Sequence, residues 1–210
     1  MVTEAAPIKP ISPYARTKFM MEMILKDFCC AYDMRGIALR YFNPIGADPQ
    51  MRSGIHVKEP SHIVGKLVET ALGKQEFFQI TGTDYETRDG TGIRDYIHIW
   101  DLARAHVKAV TDFDGVYKRA GNPADNYLVI NLGTGKGVTV CELVTAFEKV
   151  WGKPIHKKDA PARPGDVAGA FANADRAADW LKWKAELPIE KGIADALKWG
   201  EVRQKILKWE

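Results

Sequence analysis

The run YLVINLG, Tyr127 to Gly133, decides the fold. It is apolar almost without interruption, which marks a strand buried on both faces rather than one half open to water. TVCELVTAFEKVWG follows closely, with apolar residues at helical spacing, a Thr139 and Glu142 capping box, and Gly152 to close the helix. A second buried run, RGIALRYFN, spans Arg35 to Asn43 and is expected to stop at Pro44 and Gly46. Before it lies an amphipathic helix from about Pro13 to Tyr32, with Ser12 as N-cap and Pro13 in its first position. Helices alternating with buried strands define an α/β protein.

The remaining segments read outward from this frame. Residues 45–60 look like an exposed loop. SHIVGKLVETALG is helical and ends at Gly73, FFQIT is a short strand, and GTDYETRDGTG is a polar turn region. IRDYIHI reads as one alternating strand, followed by the helix WDLARAHVKAVTDF with Asp101 near its start. PIHKKDA is a short strand, PARPGDV a loop, and the C-terminal stretch two Trp-rich helices. Only two runs have the character of central parallel strands, too few for an open doubly wound sheet. The α/β unit is therefore expected to lack its N-terminal part.

Composition narrows the function. The 210 residues are 46% apolar and 27% charged, ordinary for a globular protein, and the net charge is +3. The basic residues are scattered rather than striped among aromatics, which argues against nucleic acid. No apolar run approaches the ~20 residues that span a bilayer, and MVTEAAPIKP lacks the features of a signal peptide. Three cysteines without a C-x-x-C fit reduced thiols and a cytoplasmic location. The five His have no metal-ligand spacing.

Tyr14 and Lys18 lie four residues apart on the first helix, which stacks a phenol and an ammonium on one face. A nearby cation favours a phenolate, and such a tyrosine can take a proton from a hydroxyl and return it. A half-exposed Tyr beside an unrelated surface Lys gives the same spacing. The turn LGTGKG sits between a strand and a helix, as a dinucleotide-binding turn does. Its glycines, Gly133, Gly135 and Gly137, have the wrong spacing for G-x-G-x-x-G.

Taken together, SPYARTK, ALRYFNPIGA, TGTDYETRDGTGIRDYIHIWDLARAH, YLVINLGTGKGVTVCELV and PARPGDV resemble the UDP-glucose 4-epimerase branch of the extended short-chain dehydrogenase/reductase family. The resemblance runs from about residue 3 to near 200, in the family's order. It implies the C-terminal part of a Rossmann-like doubly wound parallel sheet plus a smaller mixed α/β substrate-binding domain. Residues 1–45 and 95–137 would be the remnant of the NAD-binding domain, and 46–94 and 138–210 the UDP-sugar-binding domain. The Gly-rich pyrophosphate segment is expected upstream of Met1, so the chain by itself is expected to be poorly stable and inactive.

By the same resemblance, NAD accepts hydride from sugar C4 and returns it to the other face, interconverting UDP-glucose and UDP-galactose. Tyr14 would be the base, with Lys18 favouring its ionised form and holding the nicotinamide ribose. Phe42 would contact the nicotinamide end. Tyr41 would face the sugar, although strand packing also accounts for it, and Asn43 would bind the sugar nucleotide. Arg94 and Arg163 would grip the diphosphate, with Tyr96 near the same phosphates, and Asp166 would take the uridine ribose. His62 stands where relatives have an Asn near the diphosphate. Ala170 occupies the position closing over the sugar C2 substituent, and a small residue there implies tolerance of UDP-N-acetylhexosamines. The full-length form would be a homodimer. A uronate epimerase, a 4,6-dehydratase and a non-catalytic UDP-sugar-binding protein are the competing readings.

Overall fold

The structure, a computed structural model, describes residues 1–124, 126–163 and 165–208. In chain order its elements are α1 (Pro13–Ala31), β1 (Gly36–Tyr41), β2 (Asn43–Ile45), α2 (Ile63–Ala71), β3 (Phe78–Thr81), β4 (Ile93–Arg94), β5 (Tyr96–His98) and α3 (Ile99–Thr111). Then come α4 (Phe113–Arg119), β6 (Tyr127–Leu132), β7 (Val138–Thr139), α5 (Val140–Trp151), β8 (Lys157–Ala160), α6 (Asp175–Asp179) and α7 (Ile189–Ile206).

The two runs read as central strands do pair. β1 and β6 lie parallel, from Gly36 opposite Tyr127 to Tyr41 opposite Leu132. β2 pairs parallel with β5, β3 parallel with β8, and β4 antiparallel with β7. Local chemistry explains the helix ends. The Ser12 hydroxyl accepts from Ala15 N at 3.1 Å, and Pro13 at N1 has no N–H to leave unpaired. The Thr139 and Glu142 capping box is complete, and Gly152 closes α5 in the left-handed region at φ 79°.

Two cores form. One packs Val64 and Leu67 of α2, Phe78 and Ile80 of β3, Leu143 and Phe147 of α5, and Ile193 and Leu197 of α7. The other joins Leu102 and Ala105 of α3, Val116 and Tyr117 of α4, and Leu128 and Ile130 of β6 to Ala177, Leu181 and Trp183. The first helix is less well covered. Only Cys29 of α1 is fully buried, while Met20, Met23 and Ile24 are 51%, 43% and 56% exposed. A bidentate ion pair from Arg40 on β1 to Glu22 on α1 (2.8 and 2.6 Å) ties the helix to the sheet, and the Tyr127 hydroxyl adds a bond to Glu22. The Arg40 guanidinium holds the Glu22 carboxyl below its usual range.

Several expectations need correction. The expected strand ends sooner, at Tyr41, and Pro44 does not stop the short strand that follows, which ends just before Gly46. Pro44 sits inside β2, where the short strand needs few backbone donors. Residues 45–60 are not an exposed loop throughout, since Ile45, Gly46, Ala47, Asp48, Met51 and Pro60 are buried. IRDYIHI is two strands with different partners, and Asp95, Tyr96, Ile97 and His98 are buried in succession rather than alternately. The helix α4 follows α3 after Asp112 and was not expected as a separate element. Of the two C-terminal helices, α6 has five residues, and Trp180 and Trp183 lie after it rather than within it. Trp209 lies outside the described residues. Among the described residues, no helix is long and apolar enough to cross a membrane.

Candidate functional site

Asp95 organises the site from beneath. Its carboxylate, fully buried, accepts from Thr134 N (2.9 Å), the Thr134 hydroxyl (2.6 Å), Gly135 N (3.1 Å) and Ala172 N (3.1 Å). Its carbonyl accepts from Asn43 N at 2.9 Å. One residue thus joins the C-terminal ends of β1 and β6. It also explains the turn at Gly133–Gly137: the amides that could cradle a phosphate are already turned onto a protein carboxylate. At Gly133 a Cβ would stand 2.4 Å from the Asp95 carboxylate oxygen, so only glycine admits this approach.

Above this staple opens a cleft of about 1240 Å³, larger than the ~300–1,000 Å³ usual for a drug-sized ligand. Asn43, His62, Arg94, Tyr96, Arg163 and Asp166 all line it. Residues from four separate segments, suspected individually, are therefore neighbours around one space. Arg94 is held in place: its Nη1 donates to the carbonyls of Ile93 (2.8 Å) and Ala168 (3.0 Å), and its Nη2 to that of Val167 (3.3 Å). Asp166 N donates to Arg163 O at 3.0 Å, so one turn carries both side chains. Burial pushes the Tyr96 phenol up to about 12 against the opposing charge of Arg94, so it faces the cleft as a neutral hydroxyl.

His62 has a local duty as well. Its Nδ1 accepts from Gly65 N at 3.2 Å and caps α2, which puts the ring proton on Nε2. Burial and then the Arg203 charge push the imidazole below its usual range. In the unfolded chain the group titrates near ~6.5, so as pH falls below that value the unfolded state binds a proton the folded state resists. Stability is lost on that descent. His62→Asn keeps a cap and removes the titration, so its melting temperature is expected to fall less between pH 8 and pH 5.5 than that of the unaltered chain.

The remaining residues singled out from the sequence lie elsewhere. Tyr14 and Lys18 share a face of α1, with Lys18 Nζ 5.4 Å from the Tyr14 ring centroid and the tyrosine 71% exposed. Tyr41 is exposed at the end of β1, with its ring 6.3 Å from that of His106. Phe42 N continues the sheet by donating to Leu132 O at 3.3 Å. Ala170 follows Gly169, which bridges to Ile93 beside Arg94. These five are not among the residues lining the cleft. Sequence reasoning missed Asp95, together with Lys66, Phe77 and Trp100 in the cleft wall. A lone carboxylate inside the apolar IRDYIHI was the available signal, since a buried charge requires partners.

The family model described as GDP-mannose 4,6 dehydratase matches residues 1–196. The chain is 44% identical over 200 residues to UDP-glucose 4-epimerase of Bacillus subtilis (strain 168), covering 94% of this chain and 57% of that protein. The fold matches the crystal structure of UDP-glucose-4-epimerase from Stenotrophomonas maltophila with bound NAD and formylated UDP-arabinopyranose. The TM-score is 0.87 at 36% identity, over 97% of this chain and 59% of that one. UDP-glucose 4-epimerase from Bifidobacterium longum, in complex with NAD+ and UDP, gives 0.85 at 38%, over 95% and 58%. The chain thus spans under three fifths of the length of these relatives. With a match over nearly its whole length, the chain belongs to the family whose model is described as GDP-mannose 4,6 dehydratase.

Proposed function

We propose that the chain carries the UDP-sugar site and the catalytic base of an NAD-dependent UDP-hexose 4-epimerase, interconverting UDP-glucose and UDP-galactose. The observation that carries this reading is the convergence of Asn43, Arg94, Arg163 and Asp166 on one cleft. Two guanidinium groups suit the paired oxygens of a diphosphate. A carboxylate accepts from ribose hydroxyls, and an amide can both donate to and accept from a sugar. The relatives named UDP-glucose 4-epimerase support the epimerase over the dehydratase of the family description.

The fit to NAD is local. The exposed Tyr14 phenol and Lys18 ammonium suit the nicotinamide ribose, and Phe42 lies at the end of the adjacent strand. The Gly133–Gly137 turn, closed on Asp95, offers no pyrophosphate cradle. The chemistry a bound nicotinamide supplies is reversible acceptance of a hydride from a sugar carbon. Tyr14 takes the proton of the sugar 4-hydroxyl and later returns it. Lys18 offers ammonium donors to ribose. The cleft residues would hold the nucleotide by its diphosphate and ribose while the sugar presents either face to the nicotinamide.

The two large cores support a division into 1–45 with 95–137 and 46–94 with 138–210, with Ala177, Leu181 and Trp183 joining the core of the former unit and Ile45 and Tyr96 that of the latter. The exposed apolar face of α1 supports a homodimer, and the reduced cysteines a cytoplasmic protein. Tolerance of UDP-N-acetylhexosamines rests on Ala170. In a full-length version, Ala170→Tyr is expected to lower turnover of acetylated relative to plain substrate, and an unchanged ratio would end that idea. The binding site itself is tested by heat. Saturating UDP is expected to raise the melting temperature, by about 2.7 kcal/mol of stabilisation at a hundred times Kd, whether or not NAD is present. No protection by UDP would overturn the assignment.

A further inference from the structure

The helix α7 carries three buried polar side chains one turn apart on one face: Asp195, Trp199 and Arg203. They are 4%, 2% and 3% exposed, so they sit behind the cleft wall rather than in it. Each bonds to a different part of that wall. Asp195 Oδ2 lies 3.1 Å from His98 Nε2, and Lys191 Nζ donates to Oδ1 at 2.7 Å. His98 Nδ1 in turn accepts from Trp100 N at 2.9 Å, capping α3, whose first residues Ile99, Trp100 and Ala103 line the cleft. Trp199 Nε1 donates to Ile55 O at 2.8 Å. Arg203 donates to Val57 O and Lys58 O, each at 3.1 Å, and to Glu69 Oε1 on α2 at 2.5 Å. The α2 N-terminus presents His62, Ile63 and Lys66 to the same space.

We propose that Asp195, Trp199 and Arg203 are positioning residues that fix the width of the cleft, holding its α3 wall, its Ser53–Val57 wall and its α2 wall to one rigid helix. The segment from Ser53 to Val57 contains no helix or strand of its own. Two of its backbone carbonyls, Ile55 O and Val57 O, accept from α7, while Ser53 O accepts from Asp48 N at 3.0 Å, so the position of its second half depends on that helix. The contact is close on both sides. At Gly54 a Cβ would stand 2.6 Å from the Trp199 ring, so the loop lies directly against the indole. The ligand held at this width is the nucleotide sugar, and that part rests on the proposed function.

The test is Trp199→Phe, which keeps a ring against Gly54 and removes the indole donor together with part of the ring volume. Two readouts are taken on the purified chain: amide hydrogen exchange without ligand, and UDP affinity by calorimetry. Loss of one buried hydrogen bond is expected to speed exchange at residues 53–58 and raise the UDP Kd, each about fivefold, with exchange in α5 unchanged. Gly54→Ala pushes on the same contact from the loop side and is expected to loosen residues 53–58 in the same way. Unchanged exchange at 53–58 in both variants, or acceleration spread equally into α5, overturns the proposal. If the unaltered chain does not bind UDP, the proposed function fails, while the exchange result still decides the role of α7.

Discussion

Asp95→Ala is expected to destabilise the protein by about 3–5 kcal/mol, because a charged acceptor of several hydrogen bonds disappears and the buried amides that faced it lose their partner. Thr134 N, Gly135 N and Ala172 N all point at this carboxylate. For a chain of this size, that corresponds to a fall in melting temperature of roughly 10 °C or more. Asp95→Asn should fall between, since its one carbonyl oxygen can keep only part of the set. The comparison is made by thermal unfolding at pH 7. A loss below about 1 kcal/mol would show that the turn at Gly133–Gly137 holds itself, and that the ends of β1 and β6 do not depend on Asp95.

In a longer protein that joins this chain to a site for the NAD pyrophosphate, Tyr14→Phe is expected to lower interconversion of UDP-galactose and UDP-glucose by roughly 10²–10⁴ in kcat, the usual cost of losing a positioned general base. The same variant should leave the melting temperature unchanged, because Tyr14 is 71% exposed and its hydroxyl supports no other residue in the structure as described. The separation of the two effects is what distinguishes a chemical role from a packing role. Retention of more than a tenth of kcat would remove Tyr14 from the chemistry.

The parts of this molecule that were legible in its sequence are those set by short-range rules. Ser12 and Pro13 announce the start of α1, Thr139 and Glu142 that of α5, and the apolar YLVINL its parallel strand, because caps and buried runs are written in adjacent residues. What escaped depends on partners distant in the chain. IRDYIHI could not be divided from its pattern alone, since β4 turns to β7 while β5 turns to β2. The lone carboxylate of Asp95 in IRDYIHI signals that it needs partners, but which ones, Thr134 and Ala172, only the fold shows. The candidate site divides in the same way. Arg94, Arg163 and Asp166 came from recognisable motifs, and folding brought them to one cleft. The wall formed by Lys66, Phe77 and Trp100 follows from tertiary placement, and none of the three stands out in the sequence.

The most direct measurement is a crystal structure of the chain grown with UDP. The diphosphate is expected between Arg94 and Arg163, with guanidinium nitrogens about 2.7–3.2 Å from its oxygens and the Asp166 carboxylate at the ribose hydroxyls. UDP bound outside the cleft, or inside it with Arg94 still turned wholly onto the Ile93, Val167 and Ala168 carbonyls, would contradict the assignment of this cleft as a UDP-sugar site.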